Sequence, residues 1–367
     1  MGSIPVIELD QLDSNKRGQA YGEAAGNTIK KLLEIYKELF FKNTGLTWNK
    51  ILPMLDPYIV KAKTFAPDLI DEIQGIATGA NLSFKEIFAI NARSEILFDL
   101  NIFTDECSTL VALPGATKNN STILAQNWDW NREIESCQVI LKIAQRENIP
   151  SIVTFTEAGQ LAKIGMNNAG IGLVVNTLSA DRTKVGIPWI FISRRILESS
   201  RLTQAMGRLL DSPKGHSMNF LIAHEDGEAV DIETSCIENH IIFPKKNSMA
   251  HTNHYIEPCI GFKDTKKGHH NPAPSTYCRL NRITKLLTQM DGKLEIKSIQ
   301  NILKDHFDHP FSVCLHDSDE FAPITQASKT CLSIVMDLSQ KTIFYTKGSP
   351  CQNPVESLDF TSTTDIA

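Results

Sequence analysis

The sequence predicts an α+β protein in which antiparallel sheets are layered against helices. Two observations carry that prediction. The first hundred residues repeat apolar side chains at helical spacing, and from Cys107 onward the texture changes to short β-type runs broken by turn residues. The turn signals between those runs are of hairpin type, which favours antiparallel pairing over a parallel, doubly wound sheet.

From Asn15 to about Lys42, the residues Ala20, Ala24, Ile29, Leu32, Leu33, Tyr36, Leu39 and Phe40 recur at three- and four-residue steps, the pattern of an amphipathic helix. Further helices are expected over 48–62, 67–78 and 83–97. Pro67 suits a first helical turn, and Asn81 or Ser83 can cap the last of these with Glu86 as acidic partner. After Cys107, strands are expected over 108–113, 122–128, 139–143, 152–156 and 171–177, with Gly159, Gly165, Asn167, Asn168 and Gly170 as turn residues. A helical interlude at 188–210 precedes strands at 218–224, 229–233 and 240–243. Helices at 276–290 and 296–303 then lead to a closing hairpin, 331–337 with 342–346. No internal repeat or low-complexity linker marks a domain boundary.

The chain has 367 residues, 42% hydrophobic and 22% charged, enough for a large core. A formal net charge of −5 gives no electrostatic footprint for nucleic acid, and the basic cluster of Lys263, Lys266 and Lys267 reads as a solvated loop. Neither a signal peptide nor a bilayer-length apolar run is seen, so the expectation is a cytoplasmic protein with no membrane partner. The Met1-Gly2 start resembles an N-myristoylation signal, but Val6 stands where Ser or Thr is needed. The eight cysteines (107, 137, 236, 259, 278, 314, 331 and 351) contain no C-x-x-C pair. We therefore expect neither a zinc ribbon nor a disulfide scaffold, but mostly reduced packing residues and no metal ligands.

Cys107 stands at the seam between the two textures. A cysteine that opens a sheet becomes a chain terminus if the peptide bond before it is cut, and its new α-amino group, titrating near 7.7 to 8.0, can take the thiol proton. In a hairpin, the strand Ile123–Trp130 returns Asn127 and Asp129 to the level of Cys107, so that a thiol, a carboxylate and an amide share one edge, and Asp129 can orient the ammonium group. On spacing alone, a buried strand cysteine and a turn aspartate account for the same residues.

A second constellation is His251-Thr252-Asn253-His254. Asn253 can donate its amide N–H to a developing oxyanion, while the two histidines are readable as a general base, as metal ligands or as hydrogen-bonded loop residues. His269, His270, His306 and His309 are given no role. Arg279 and Arg282 offer cations at a helix start, either to orient a carboxylate or simply to face solvent.

In order, Asp105-Glu106-Cys107-Ser108-Thr109, Gln126-Asn127-Trp128-Asp129, His251-Thr252-Asn253-His254, Ser275-Thr276-Tyr277-Cys278-Arg279, Ser333–Asp337 and Gly348-Ser349-Pro350-Cys351 resemble the acyl-coenzyme A:6-aminopenicillanic acid acyltransferase family of autoproteolytic N-terminal-nucleophile hydrolases. The resemblance runs from Arg17-Gly18-Gln19-Ala20-Tyr21-Gly22 to the last hairpin. It implies a four-layer αββα sandwich made as a precursor and cut between Glu106 and Cys107. The cut separates a mainly helical fragment, 1–106, from a catalytic fragment, 107–367, and the two stay associated as one αββα domain. It further implies Cys107 as nucleophile and, through its freed α-amino group, base, with Asp129 supporting it and Asn253 at the oxyanion. Glu106 and Thr109 would take part in processing, with Asn127, His254 and Arg279 as substrate or support residues.

The chain departs from the family pattern at Glu106, where many relatives have Gly, and at Ser312-Val313-Cys314-Leu315, where they have an arginine in the last place. The expected activity is hydrolysis or acyl transfer at amide or thioester bonds of small acylated amines or amino acids. No cofactor is expected, although acyl-coenzyme A can serve as acyl donor. The alternatives are an uncut Cys-His thiol hydrolase using His251 or His254, and a catalytically silent binding relative.

Overall fold

In the computed structural model, which describes residues 2–100, 106–265, 274–317 and 328–360, strand β1 (Val6–Leu9) leads into a helical block. Helix α1 (Ser14–Thr44) is capped by Asp13, whose side chain accepts from the Lys16 N–H, and stops at Gly45 in the left-handed region. The expected helix over 48–62 is broken into α2 (Trp48–Ile51), a 3₁₀ turn (Leu52–Leu55) and α3 (Asp56–Phe65). Pro53 and Pro57, which lack the N–H an uninterrupted helix needs, each fall in a first turn.

Helix α4 (Pro67–Ala80) crosses α1 at backbone contact. A Cβ on Gly18 would stand 2.0 Å from the carbonyl oxygen of Glu72, so glycine is required there. The expected helix over 83–97 divides at Ala92 into α5 (Phe84–Asn91), with Ser83 and Glu86 forming a capping box, and α6 (Arg93–Asp99). Asn91 ties that break to the sheet, donating to Gly159 O and accepting from Leu161 N.

Fourteen strands among the described residues form two sheets. The first contains β1, β4 (Gln138–Ile143), β5 (Ile152–Glu157), β6 (Ile164–Asn167), β7 (Ile171–Thr177), β8 (Met218–His224), β9 (Glu228–Thr234) and β10 (Asn239–Ile242), in that order. The second runs β11 (Ser248–His251), β2 (Glu106–Ala112), β3 (Ile123–Asn131), β12 (Ser328–Asp337), β13 (Thr342–Lys347) and β14 (Glu356–Asp359). All pairings are antiparallel except β1 with β4.

Four of these strands, β1, β6, β11 and β14, are not expected from the sequence. In β6, Gly165 reads as a turn residue. It serves instead to let strands approach, since a Cβ there would lie 2.1 Å from Val153 O.

The sheets face one another, with Gln126 of β3 reaching across to donate to Val175 O and accept from Val175 N on β7. Helices α1, α7 (Trp189–Leu197) and α8 (Leu202–Leu210) cover the outer face of the first sheet. Helices α9 (Pro274–Gln289) and α10 (Ile296–Leu303) cover that of the second. Coverage on both sides explains why β4, β5 and β7 are buried at every position rather than at alternate ones. No described helix is long and apolar enough to cross a membrane.

Candidate active site

Strand β2 presents its two faces to different layers. Leu110 and Ala112 pack with Ile283, Leu287 and Ile299 of the α9–α10 layer, so Ser108 points that way too, and Cys107, Thr109 and Val111 face the opposite sheet. Cys107 is 4% exposed and directly opposite Trp128 on β3. The ammonium of Lys163, itself buried, lies 3.2 Å from the centre of the Trp128 ring, placing a cation over the cross-strand neighbour of the thiol.

Both backbone polar groups of Cys107 are held by side chains. Strand β11 pairs with Thr109 to Ala112 and ends at His251, so beyond Thr109 the ladder on that side needs substitutes. Asn253 supplies one: its Oδ1 accepts from the Cys107 N–H at 2.8 Å. Arg279 on α9 supplies the other, its Nη1 donating to Cys107 O at 2.7 Å and to Ser108 Oγ at 2.9 Å, while Nη2 donates to Asn253 Oδ1 at 3.0 Å. The amide of Asn253 has only one workable orientation. Two donors face its oxygen, and its Nδ2 donates to Thr177 O at 3.1 Å.

Two of the expected residues have other partners in this geometry. The Asn253 donor, read from sequence as aimed at an oxyanion, is engaged with Thr177, and its acceptor grips the peptide nitrogen of Cys107. Asp129 shares an edge with Cys107 but not a face. It lies opposite Glu106 in the register, and alternation turns it with Asn127 toward the helix layer, where its Oδ1 accepts from Thr330 Oγ1 at 2.6 Å. Asn127 donates to Leu303 O and Val313 O, both at 2.8 Å, and so fastens α10 and the loop after it to β3. Glu106 begins β2, but its side chain lies outside the described residues, as do Asp105, Lys266, Lys267, His269 and His270.

Thr109 Oγ1 donates to Asn176 Oδ1 at 2.7 Å, beginning a buried chain through Asn219 to Asp231. Sequence reading overlooks Asn176, although an amide near the end of the apolar strand Ile171–Thr177 is the kind of signal that marks an inward polar contact. Burial lifts the Asp231 carboxyl to about 6, more than the opposing charge of His251 and the hydrogen bond from Asn219 pull it down.

His251 stands with Nε2 at 2.9 Å from Glu233 Oε1 and Nδ1 at 2.7 Å from Thr252 O. Both partners accept, so both ring nitrogens donate and the ring is an imidazolium. Burial opposes that charge, but Asp231 and Glu233 together raise the pKa above its ordinary value. A ring in this state has no lone pair with which to deprotonate a thiol. His254 is likewise committed, with Nδ1 2.9 Å from Thr276 Oγ1 and its ring 4.1 Å from that of Tyr277. The same Thr276 hydroxyl accepts from Asn253 N, so it positions the turn that delivers Asn253. Arg282 is bound to Asp305 by contacts of 2.7 to 3.0 Å, away from the Cys107 grip.

Residues 116–352 match the family model described as acyl-coenzyme A:6-aminopenicillanic acid acyl-transferase. The chain belongs to that family. The matched span takes in Asn127, Asp129, Asn253, His254 and Arg279 and begins downstream of Cys107. The 40 kDa form of acyl-coenzyme A:6-aminopenicillanic-acid-acyltransferase from Emericella nidulans is 27% identical over 299 residues, 81% of each chain. Among solved structures, a variant of conjugated bile acid hydrolase from Clostridium perfringens superposes with a TM-score of 0.51 at 13% identity, covering 70% of this chain and 94% of that one. A penicillin V acylase from Agrobacterium tumefaciens gives a TM-score of 0.49 at 14% identity, over 70% of this chain and 86% of that one. At 13% identity the first of these likenesses is one of fold, the αββα sandwich of the N-terminal-nucleophile hydrolases.

Proposed function

We propose that this family member is a self-processing amidohydrolase or acyltransferase whose nucleophile is Cys107. The observation that carries the reading is the double grip on Cys107, with Asn253 on its N–H and Arg279 on its carbonyl. Any buried strand residue needs partners where its ladder ends, but here both partners are side chains, one of them a cation, rather than backbone. Such partners suit a residue whose N–H becomes a free amine and must then stay in place.

In processing, the Cys107 thiol attacks the carbonyl carbon of Glu106. The C–N bond breaks, its nitrogen takes the thiol proton, and the acyl group passes to sulfur as a thioester. Water hydrolyses that thioester, leaving a Glu106 carboxylate and a free thiol beside a new α-amino group. The fragments 1–106 and 107–367 remain packed together, since β1 of the first pairs with β4 of the second. In turnover, the α-amino group takes the thiol proton and the thiolate attacks an amide or thioester carbonyl. An acyl-enzyme forms, which water or an acceptor amine resolves.

Asn253 Oδ1, already on the Cys107 nitrogen, orients the amine as the base. Arg279 fixes the residue that follows the bond being cut. Family membership supports acyl transfer between thioesters and small amines as the substrate class. The rival reading, an uncut thiol activated by His251 or His254, is disfavoured at His251 by a ring whose two nitrogens both donate and at His254 by the engagement of Nδ1 with Thr276.

The test is a gel and intact mass of the wild type beside Cys107→Ala. The expected wild type shows fragments of roughly 12 and 29 kDa, the 40.9 kDa chain divided in proportion at Glu106, and the variant stays whole. An uncut wild type that turns over substrate would sink the proposal.

A further inference from the structure

Beyond the nucleophile region, the fold gathers four side chains that the sequence separates. Cys314 and His316 follow α10 in one loop with His306, and Cys351 follows β13. Their donor atoms lie within 4.8 Å of one another. The two Sγ atoms are 3.6 Å apart, each is 3.4 Å from His316 Nε2, and His306 Nε2 is 3.1 Å from His316 Nε2.

Hydrogen bonding alone does not account for this cluster. A ring nitrogen has one in-plane lone pair or one N–H, yet His316 Nε2 is approached by a nitrogen and two sulfurs at once. One ion at the centre serves all of them. Zinc–sulfur bonds of about 2.3 Å and zinc–nitrogen bonds of about 2.0 to 2.1 Å define a tetrahedron with edges of about 3.8 Å between sulfurs, about 3.4 Å between nitrogens and about 3.6 Å between the two kinds. The four measured edges fall within a few tenths of an ångström of those lengths.

We propose that His306, Cys314, His316 and Cys351 form a structural Cys₂His₂ zinc site. Four protein ligands close the coordination sphere, and the mixed thiolate and imidazole set suits zinc rather than calcium or magnesium. Two thiols lose their protons to solvent as the ion binds. His309 borders the cluster, its ring 5.0 Å from that of His316, but it is not one of the four. The expectation of no metal ligands rested on the absence of a short C-x-x-C spacing, whereas here the second cysteine arrives 37 residues after the first.

The site has a position in the fold that gives it work to do. Its loop is the one Asn127 holds through Val313 O, and Leu315 N donates to Thr330 Oγ1, which donates to Asp129. Zinc therefore clamps the loop that packs against the helix-facing side of β3, the strand next to Cys107.

Chain purified under reducing conditions from zinc-supplemented culture is assayed for metal by mass spectrometry. Close to one zinc per chain is expected in the wild type, in His309→Ala and in Cys107→Ala, with loss to background in Cys314→Ser and Cys351→Ser. Retention in Cys107→Ala separates this site from the proposed nucleophile. If the serine variants are insoluble, the chelator-stripped wild type is titrated with cobalt(II) alone. Tetrahedral ligand-field bands and thiolate charge transfer, abolished by added zinc, are the expected result. A wild type that holds no zinc and gives no such cobalt spectrum overturns the proposal, as does an intact mass lower by two hydrogens with Cys314 and Cys351 joined.

Discussion

Two buried polar centres in this molecule are built on opposite principles. Under the helices, Glu72 and Glu198 meet Arg17, Arg146, Arg194 and Arg195 at 2.6 to 3.2 Å, full charge against full charge. At β2, the arginine is directed instead at a carbonyl, a hydroxyl and an amide oxygen around the Cys107 backbone. The first centre sets each carboxylate against two or more guanidiniums and joins α1, α4 and α7 into one block. The second uses a cation to hold a peptide group in place. Burial of charge is thus a poor guide to chemistry here, and what the charge is aimed at is the better one.

Substitution at the two centres should separate activity from stability. Cys107→Ala is expected to abolish processing and to lower acyl transfer by about 10⁶-fold, the scale on which removing a covalent nucleophile acts. Its unfolding free energy in urea should stay within about 1 kcal/mol of wild type, because a small, soft side chain is replaced by a slightly smaller one.

Glu72→Gln is the reverse case. Burial opposes its charge, but Arg194 and Arg17 hold the carboxyl below its ordinary value, and the variant leaves both guanidiniums facing a neutral amide. A loss of about 3 to 5 kcal/mol in urea is expected, with normal processing of whatever folds. Glu198 is held at about 2 by Arg194 and Arg195 against burial, so its contribution is present above the ordinary value of 4.5 and disappears as pH falls from there through about 2. If Glu72→Gln blocked cleavage without destabilising the chain, the contrast between the centres would fail.

Legibility from sequence follows the same division. Periodicity located α1, α4, α10 and most central strands to within a few residues, since these elements bury a face set by their own side chains. It missed β1, β6, β11 and β14, four-residue strands that carry few alternations, and located only β10 among strands of that length. The motif order singled out Cys107, Asn253 and Arg279, and the fold brings these together. What spacing could not supply was facing: Asp129 and Cys107 arrive on adjacent strands, yet one residue of register decides that they point to opposite layers. Nor could it supply the meeting of Cys314 with Cys351, which depends on two loops and on no local pattern.

A smaller effect probes the chain that links Thr109 to Asp231. Burial holds Asp231 at about 6 against an ordinary 3.8, so the folded state binds that proton more tightly than the unfolded chain does. Stability therefore falls as pH rises across this window, by up to about 3 kcal/mol at 1.36 kcal/mol per pKa unit. Asp231→Asn keeps the shape without the titration. Its unfolding free energy relative to wild type should climb between pH 4 and 6 and level off above. A flat difference across that range would show that the carboxyl is not the titrating group.

Arg279→Lys asks how much of the Cys107 grip is charge and how much is geometry. The guanidinium reaches Cys107 O and Ser108 Oγ from one nitrogen and Asn253 Oδ1 from another, a fork that spans the peptide and the side chain holding its N–H. An ammonium keeps the charge as a single point on a flexible stem and cannot keep the fork. If the charge alone mattered, processing of the lysine variant would match wild type, and only Arg279→Met would slow it. If the fork matters, the cleavage barrier of the lysine variant should rise by about 1 to 2 kcal/mol, roughly a five- to thirtyfold slower appearance of fragments. Its urea midpoint should move little, because the cation still offsets the buried oxygens. The arrangement of the three oxygens around two guanidinium nitrogens favours the fork, and the time course of Glu106–Cys107 cleavage in the two variants decides it.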